Sequence, residues 1–291
     1  MNKRSVEAVL TPPQPHMVGD GFRVSNFFPS GYNIPQDRLS PFFLLDYNAP
    51  VEFAPREDPR GVGVHPHRGF ETVTFAFKGK VAHHDSAGNS GVIGEGDVQW
   101  MTAASGVLHK EYHEQEFSRN GGTFHMAQLW VNLPAKFKMA EPRYQAIKAT
   151  DLAVVKMPDG KSEVRVVAGD LLGTTGPTKT WSPITAAVVK VGAGGSADFE
   201  VPAGWNATLL MVEGDAVVNG SEAPANNLVI LANDGTGVQA TSEAGATLLL
   251  LSGEPLNEPI AAYGPFVMNT FDEIKVALAD VAAGKFGVLE D

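Results

Sequence analysis

The sequence predicts an all-β protein made of two copies of one antiparallel β-barrel or sandwich. Three observations carry this. The 31 glycines and 20 prolines of the 291 residues are about 18% of the chain, against roughly 12% in average usage, which implies many turns and short strands. Residues 70–85 (FETVTFAFKGKVAHHD) and 205–220 (WNATLLMVEGDAVVNG) both read as a β-rich run, a glycine turn and a second run. Gly79 and Gly214 occupy equivalent turn positions in them. Each hairpin is followed by another glycine-containing turn and a further β-rich run, residues 91–109 in the first half and 227–232 with 247–252 in the second.

Between the repeats, residues 134–142 (PAKFKMAEP) and 157–161 (MPDGK) read as connector and turn. The chain therefore divides into an N-terminal domain over 1–145 and a C-terminal domain over 146–291. One good helix is predicted, over 270–283. Thr270 and Glu273 form a capping box, Phe271, Ile274, Ala277 and Leu278 recur at helical spacing, and Gly284 can end it. The signal near 115–119 and 135–139 is ambiguous.

Composition excludes several function classes. The net charge of −11 leaves no basic footprint for direct nucleic acid binding or for an anionic membrane surface. The absence of cysteine rules out disulfides, thiolate metal sites and thiol nucleophiles. The opening residues MNKRSVEAVLTPPQPH have no apolar h-region, and no apolar stretch is long enough to span a bilayer. A cytoplasmic protein is expected.

Seven of the eight histidines lie between residues 65 and 125, and none follows 125. His65 and His67 flank a proline that favours extended backbone. Residues two apart on a strand share a face, so this HxH offers two imidazoles to one point. His109 and Glu111 repeat the geometry. Two such strands side by side would supply three neutral nitrogens and a carboxylate, a set suited to a divalent transition metal with open positions. A lone HxH is more often incidental; the HxE downstream and the β-rich setting favour the metal reading. Either Glu71 or Glu111 can be the carboxylate by spacing, because His65-x-His67-x3-Glu71 followed by Gly79 is close to the first cupin motif. His83 and His84 are adjacent, so only one can face inward; they and His113 are less favoured as ligands. His125 is read as a hydrogen-bonded strand histidine. Arg68, Phe70 and Gln99 lie near the site in sequence and receive no catalytic role.

These motifs resemble the signatures of the pirin family. His65-Pro66-His67-Arg68-Gly69-Phe70-Glu71-Thr72-Val73-Thr74, Gly91-Val92-Ile93, Gly96-Asp97-Val98-Gln99-Trp100-Met101-Thr102-Ala103 and Gly106 to Glu111 carry the likeness. So do residues 263–270 (YGPFVMNT) and 283–287 (AGKFG). The resemblance implies two tandem cupin barrels (double-stranded β-helix, jelly-roll) with a short C-terminal helix. It implies one metal, held through His65, His67, His109 and Glu111, which favours Glu111 over Glu71. The metal is expected to be iron, with zinc, nickel, manganese or copper as alternative occupants. The second barrel offers Asp198 and Glu200 at the equivalent strand but no histidine, so it is expected to bind no metal. The implied activity is that of a quercetin 2,3-dioxygenase, opening the central ring of a flavonol, or of a related enol or phenol, with release of carbon monoxide. Glu111 would be the catalytic base. The family also includes regulators that bind a transcription factor or metabolic enzyme and use the metal as a redox-responsive element, so a protein partner is the alternative expectation.

Overall fold

A computed structural model describes residues 2–290. The contacts group the chain into two compact units, one of residues 14–33, 42–149 and 256–291, the other of residues 1–13, 34–41 and 150–255.

The first unit holds a seven-stranded and a four-stranded antiparallel sheet. The seven-stranded sheet runs in the order Arg143–Ile147, Val98–Thr102, Phe70–Lys78, Gly122–Asn132, Phe42–Phe53, Phe22–Phe28, His16–Val18. The four-stranded sheet is ordered Gly61–His67, Val107–His113, Val81–Asp85, Ser90–Ile93. Apolar side chains from both sheets, including Phe22, Ala76, Phe124 and Met126 on one and Val81 and Ile93 on the other, share one core. The second unit repeats the plan. Its seven-stranded sheet is ordered Val6–Leu10, Leu228–Leu231, Asn206–Glu213, Ala246–Gly253, Ile184–Val191, Glu163–Ala168, Ala153–Lys156. Its four-stranded sheet is Gly195–Glu200, Gly237–Ser242, Ala216–Val218, Ser221–Ala223. The two expected hairpins do not pair as hairpins: Phe70–Lys78 and Val81–Asp85 lie in different sheets, as do Asn206–Glu213 and Ala216–Val218. Each glycine turn (Gly79, φ +84°; Gly214, φ +71°) instead carries the chain from the larger sheet to the smaller, at matching places in the two units.

The units do not follow a single cut at 145/146. Val6–Leu10 pairs antiparallel with Leu228–Leu231, along the edge of the second unit's sheet. In the first unit the same edge is closed by Arg143–Ile147, on Val98–Thr102. The C-terminal helix groups with the first unit, not the second. It spans Phe271–Ala282, with Thr270 and Glu273 forming the expected capping box. Its apolar face is narrower than predicted. Ile274 and Ala277 are buried with Phe266, Met268 and Phe286, whereas Phe271 and Leu278 are exposed. The ambiguous stretches are a short helix, Gln115–Asn120, and a 3-10 turn, Ala135–Phe137. Among the described residues no helix is long and apolar enough to cross a membrane.

The second barrel is filled where the first is polar. On the strands matching the two histidine strands, Ala197, Phe199, Val238 and Ala240 point inward and belong to the apolar core. Asp198 is only half-buried and bonds to Ser196 and Gln239, and Glu200 is exposed. Neither reaches the apolar core of this barrel.

Candidate metal centre

Strand pairing builds the site. Val107–His113 lies antiparallel to Gly61–His67, with His109 opposite His65 and Val107 opposite His67. Directly opposed residues of neighbouring strands project to the same face, so three imidazoles meet. Their ring centroids are 4.8 Å (His65–His67), 4.2 Å (His65–His109) and 4.7 Å (His67–His109) apart. One donor atom from each lies within 4.8 Å of the others. A register shift follows His109, so that Glu111 pairs with Val62; such bulges commonly re-aim side chains beside functional sites.

Glu111 is not part of that triplet. Its carboxylate converges instead with His109 and His83, again with donor atoms within 4.8 Å. The four residues expected from sequence thus fall into two overlapping clusters that share His109. Glu111 accepts hydrogen bonds from Gln99 Nε2 (2.6 Å) and Thr74 Oγ1 (3.3 Å) on Oε1, and from Gln128 Nε2 (2.7 Å) on Oε2.

Glu71 lies elsewhere. It sits on the same strand as Thr74 but three residues away, so the two face opposite sides. Its Oε1 accepts from Thr102 Oγ1 at 2.6 Å, and burial pushes its carboxyl up to about 7. It joins neither donor cluster.

The imidazoles are held ready to coordinate. His65 Nδ1–H donates to Gly63 O at 2.8 Å, and His67 Nδ1–H points to Pro265 O at 3.4 Å; Nε2 of each carries the lone pair. Burial, reinforced by the neighbouring imidazoles, pushes the His67 and His109 pKa values well below the usual histidine range. They stay neutral, as metal donors must. Both ring nitrogens of His109 are buried without a hydrogen-bond partner. Leaving a buried polar atom unpaired costs roughly 1–3 kcal/mol. A cation among these nitrogens would relieve that cost, and neutral imidazoles with one carboxylate suit a divalent transition metal.

An aromatic wall stands beside His67. Phe70 stacks on Trp130 at 4.2 Å, Phe43 lies parallel to Trp130 at 6.4 Å, and both Phe70 and Trp130 contact the His67 ring edge-on. Phe43, Trp130 and His65 are only half-buried, which leaves this side of the site open.

The remaining histidines separate cleanly. His84 is exposed and bonds to Tyr112. His113 Nε2 donates to Gly21 O within a phenylalanine cluster. His125 bonds to Tyr47 Oη at 2.9 Å, and burial pushes it down to about 4. Arg68 ties the C-terminal helix down through Asp280 at 2.9 Å and is itself anchored by donating to Ser105 O at 2.6 Å. Two residues left outside the expected ligand set, one of them a less favoured candidate, belong beside the donors. His83 faces inward as one of an adjacent pair, and Gln99 holds Glu111. Strand alternation limited His83 and His84 to one inward side chain, but which one depends on pairing.

A double-stranded β-helix with imidazoles on opposed strands and one carboxylate defines a cupin whose donor cluster could hold a metal, here duplicated with one polar centre. The chain belongs to the pirin family. Residues 21–131 match the Pirin family model and residues 186–287 the Pirin C-terminal cupin domain. A Pseudomonas aeruginosa protein named "Putative quercetin 2,3-dioxygenase" is 46% identical over 93% of this chain and 94% of its own. Pirin-like protein 2 of Arabidopsis thaliana is 38% identical over 87% of this chain and 77% of its own. The crystal structure of a quercetin 2,3-dioxygenase from Acinetobacter baumannii superimposes with a TM-score of 0.93 at 44% identity, covering 99% of this chain and 100% of that one. A bacterial pirin from Escherichia coli, solved in complex with nickel(II), shares the fold with a TM-score of 0.66 at 18% identity, over 85% of this chain and 99% of its own.

Proposed function

We propose that the chain is a metal-dependent dioxygenase that opens the central ring of a flavonol such as quercetin. The observation that carries this reading is the convergence of His65, His67 and His109 beside a half-open aromatic wall. The relatives named for quercetin 2,3-dioxygenation support it.

His65, His67, His109 and Glu111 would hold one divalent ion, iron being the expected metal and zinc, nickel, manganese or copper the alternatives. Such an ion supplies Lewis-acid polarisation of a bound enol oxygen and a means of engaging dioxygen. The protein's own residues do the rest. Trp130 and Phe70 present a flat apolar surface on which a planar flavonol stacks. Glu111 accepts the proton of the substrate hydroxyl. Gln99, Gln128 and Thr74 fix the orientation of that carboxylate. The neutral imidazoles add no negative charge, so the flavonolate formed by that proton transfer is not repelled.

The test is loss of flavonol absorbance together with oxygen uptake and carbon monoxide release. Protein loaded in turn with Fe(II), Mn(II), Ni(II), Co(II) and Cu(II) is assayed, after metal analysis of protein isolated without added metal. About one ion per chain and turnover with at least one metal are expected. Absence of turnover with all five overturns the proposal.

A further inference from the structure

Of the three buried histidines outside the proposed ligand set, His83, His113 and His125, only His83 joins a cluster of possible metal donors. His83, on the Val81–Asp85 strand, has no exposed surface. It pairs across the sheet with Glu111, so both side chains project to the same side. Its Nε2–H donates to Asp85 Oδ2 at 3.2 Å. Asp85 is fixed in turn by the backbone N–H groups of Ala87 and Asn89 and by the Asn89 amide. With Nε2 donating, the lone pair lies on Nδ1, and Nδ1 is buried without a hydrogen-bond partner.

A carboxylate that orients one ring nitrogen and leaves the other bare is the usual support for a metal-bound histidine. A purely structural His–Asp pair would leave Nδ1 a buried, unused acceptor, which is costly. The surroundings also hold His83 and Glu111 in one frame. The His83 ring stacks on Tyr144 at 4.7 Å and 11°. The Tyr144 hydroxyl donates to Gln99 Oε1 at 3.2 Å, and Gln99 Nε2 donates to Glu111. Donor atoms of His83, His109 and Glu111 lie within 4.8 Å of one another.

We propose that His83 is a metal donor, and that with His109 and Glu111 it forms a second ion position overlapping the position formed by His65, His67, His109 and Glu111. The inference rests on the metal-site reading above. A neutral imidazole has a single lone pair, so His109 serves one ion at a time. The chain therefore binds one ion, which occupies either position and passes between them through the shared His109 and Glu111. Asp85 is the positioning residue for His83.

The experiment is a zinc(II) titration of the full chain with ¹⁵N-labelled histidine, read by long-range ¹H–¹⁵N correlation of the eight imidazoles. The expected result is that His83 Nδ1 moves to the metal-bound range together with nitrogens of His65, His67 and His109. Movement of those three with His83 unchanged overturns this inference and leaves the proposed function standing. No movement of any imidazole overturns both. As a second measurement, His83→Gln should weaken zinc affinity roughly 10- to 100-fold and Asp85→Asn about 10-fold. Unchanged affinity in a folded His83→Gln protein also overturns the proposal. If that variant fails to fold, the spectrum of the unsubstituted chain decides.

Discussion

Gln99 donates a 2.6 Å hydrogen bond through Nε2 to Oε1 of Glu111, and its own carbonyl oxygen accepts from Tyr144. The amide is thus fixed on both sides, and the carboxylate inherits that orientation. Gln99→Ala should lower metal affinity about 10-fold and reduce kcat by a similar factor. Gln99→Glu should be worse, because a second carboxylate beside Glu111 replaces a donor with a like charge. Metal analysis after dialysis against a weak chelator, with flavonol turnover on the reloaded protein, checks both.

The two candidate glutamates separate by strand face. Glu71→Gln should retain about one ion per chain, because Glu71 belongs to neither donor cluster. Glu111→Gln should lose most of it. Stripping by the first substitution and retention by the second would reverse the assignment.

Glu71 should also leave a mark on pH-dependent stability. Burial holds its folded pKa at about 7, above the usual 4.5. The native state therefore binds this proton more tightly than the unfolded chain. The resulting stabilisation is full below about 4.5 and is lost as pH rises through about 7. Gln at this position imitates the protonated form, so the stability of wild type relative to Glu71→Gln should fall between pH 5 and 8. Urea unfolding of both proteins across that range measures the difference, in which contributions from other groups cancel.

Lys138 is a buried cross-link within the first unit. Its Nζ donates to Gly69 O (2.8 Å), Asn132 Oδ1 (2.5 Å) and Val267 O (2.7 Å). Three acceptors use all three N–H bonds of an ammonium. Lys138→Met fills similar volume but strands the acceptors, and should cost about 3 kcal/mol. A lower denaturant midpoint with an unchanged slope is the expected result.

Trp130 tests the substrate surface. It stacks between Phe43 and Phe70 and touches His67, but donates nothing to the ion. Trp130→Leu removes an aromatic face worth about 1 kcal/mol, so KM for a flavonol should rise roughly fivefold while metal content is unchanged. An unchanged KM would remove the stacking role.

Sequence alone determined the features that depend on local spacing. Alternation placed His65 with His67 and His109 with Glu111, because successive strand residues point to opposite faces whatever the fold. The capping box at Thr270 and the glycine turns at Gly79 and Gly214 were legible for the same reason, each involving residues only a few positions apart, but that the flanking strands enter different sheets was not. The pirin signatures added the two-barrel architecture. Only the tertiary structure decided what depends on which distant segments pair. Spacing allowed Glu71 or Glu111 equally and the family resemblance favoured Glu111; the fold brings Glu111 beside His109 and His83 and leaves Glu71 outside both donor clusters. Pairing with Leu228–Leu231 puts the Val6–Leu10 strand in the second barrel, over 200 residues away in sequence. His83, rather than His84, faces inward because it opposes Glu111 across the sheet. A period of two tells which residues share a face; it does not tell which face is the interior, and that is set by long-range burial.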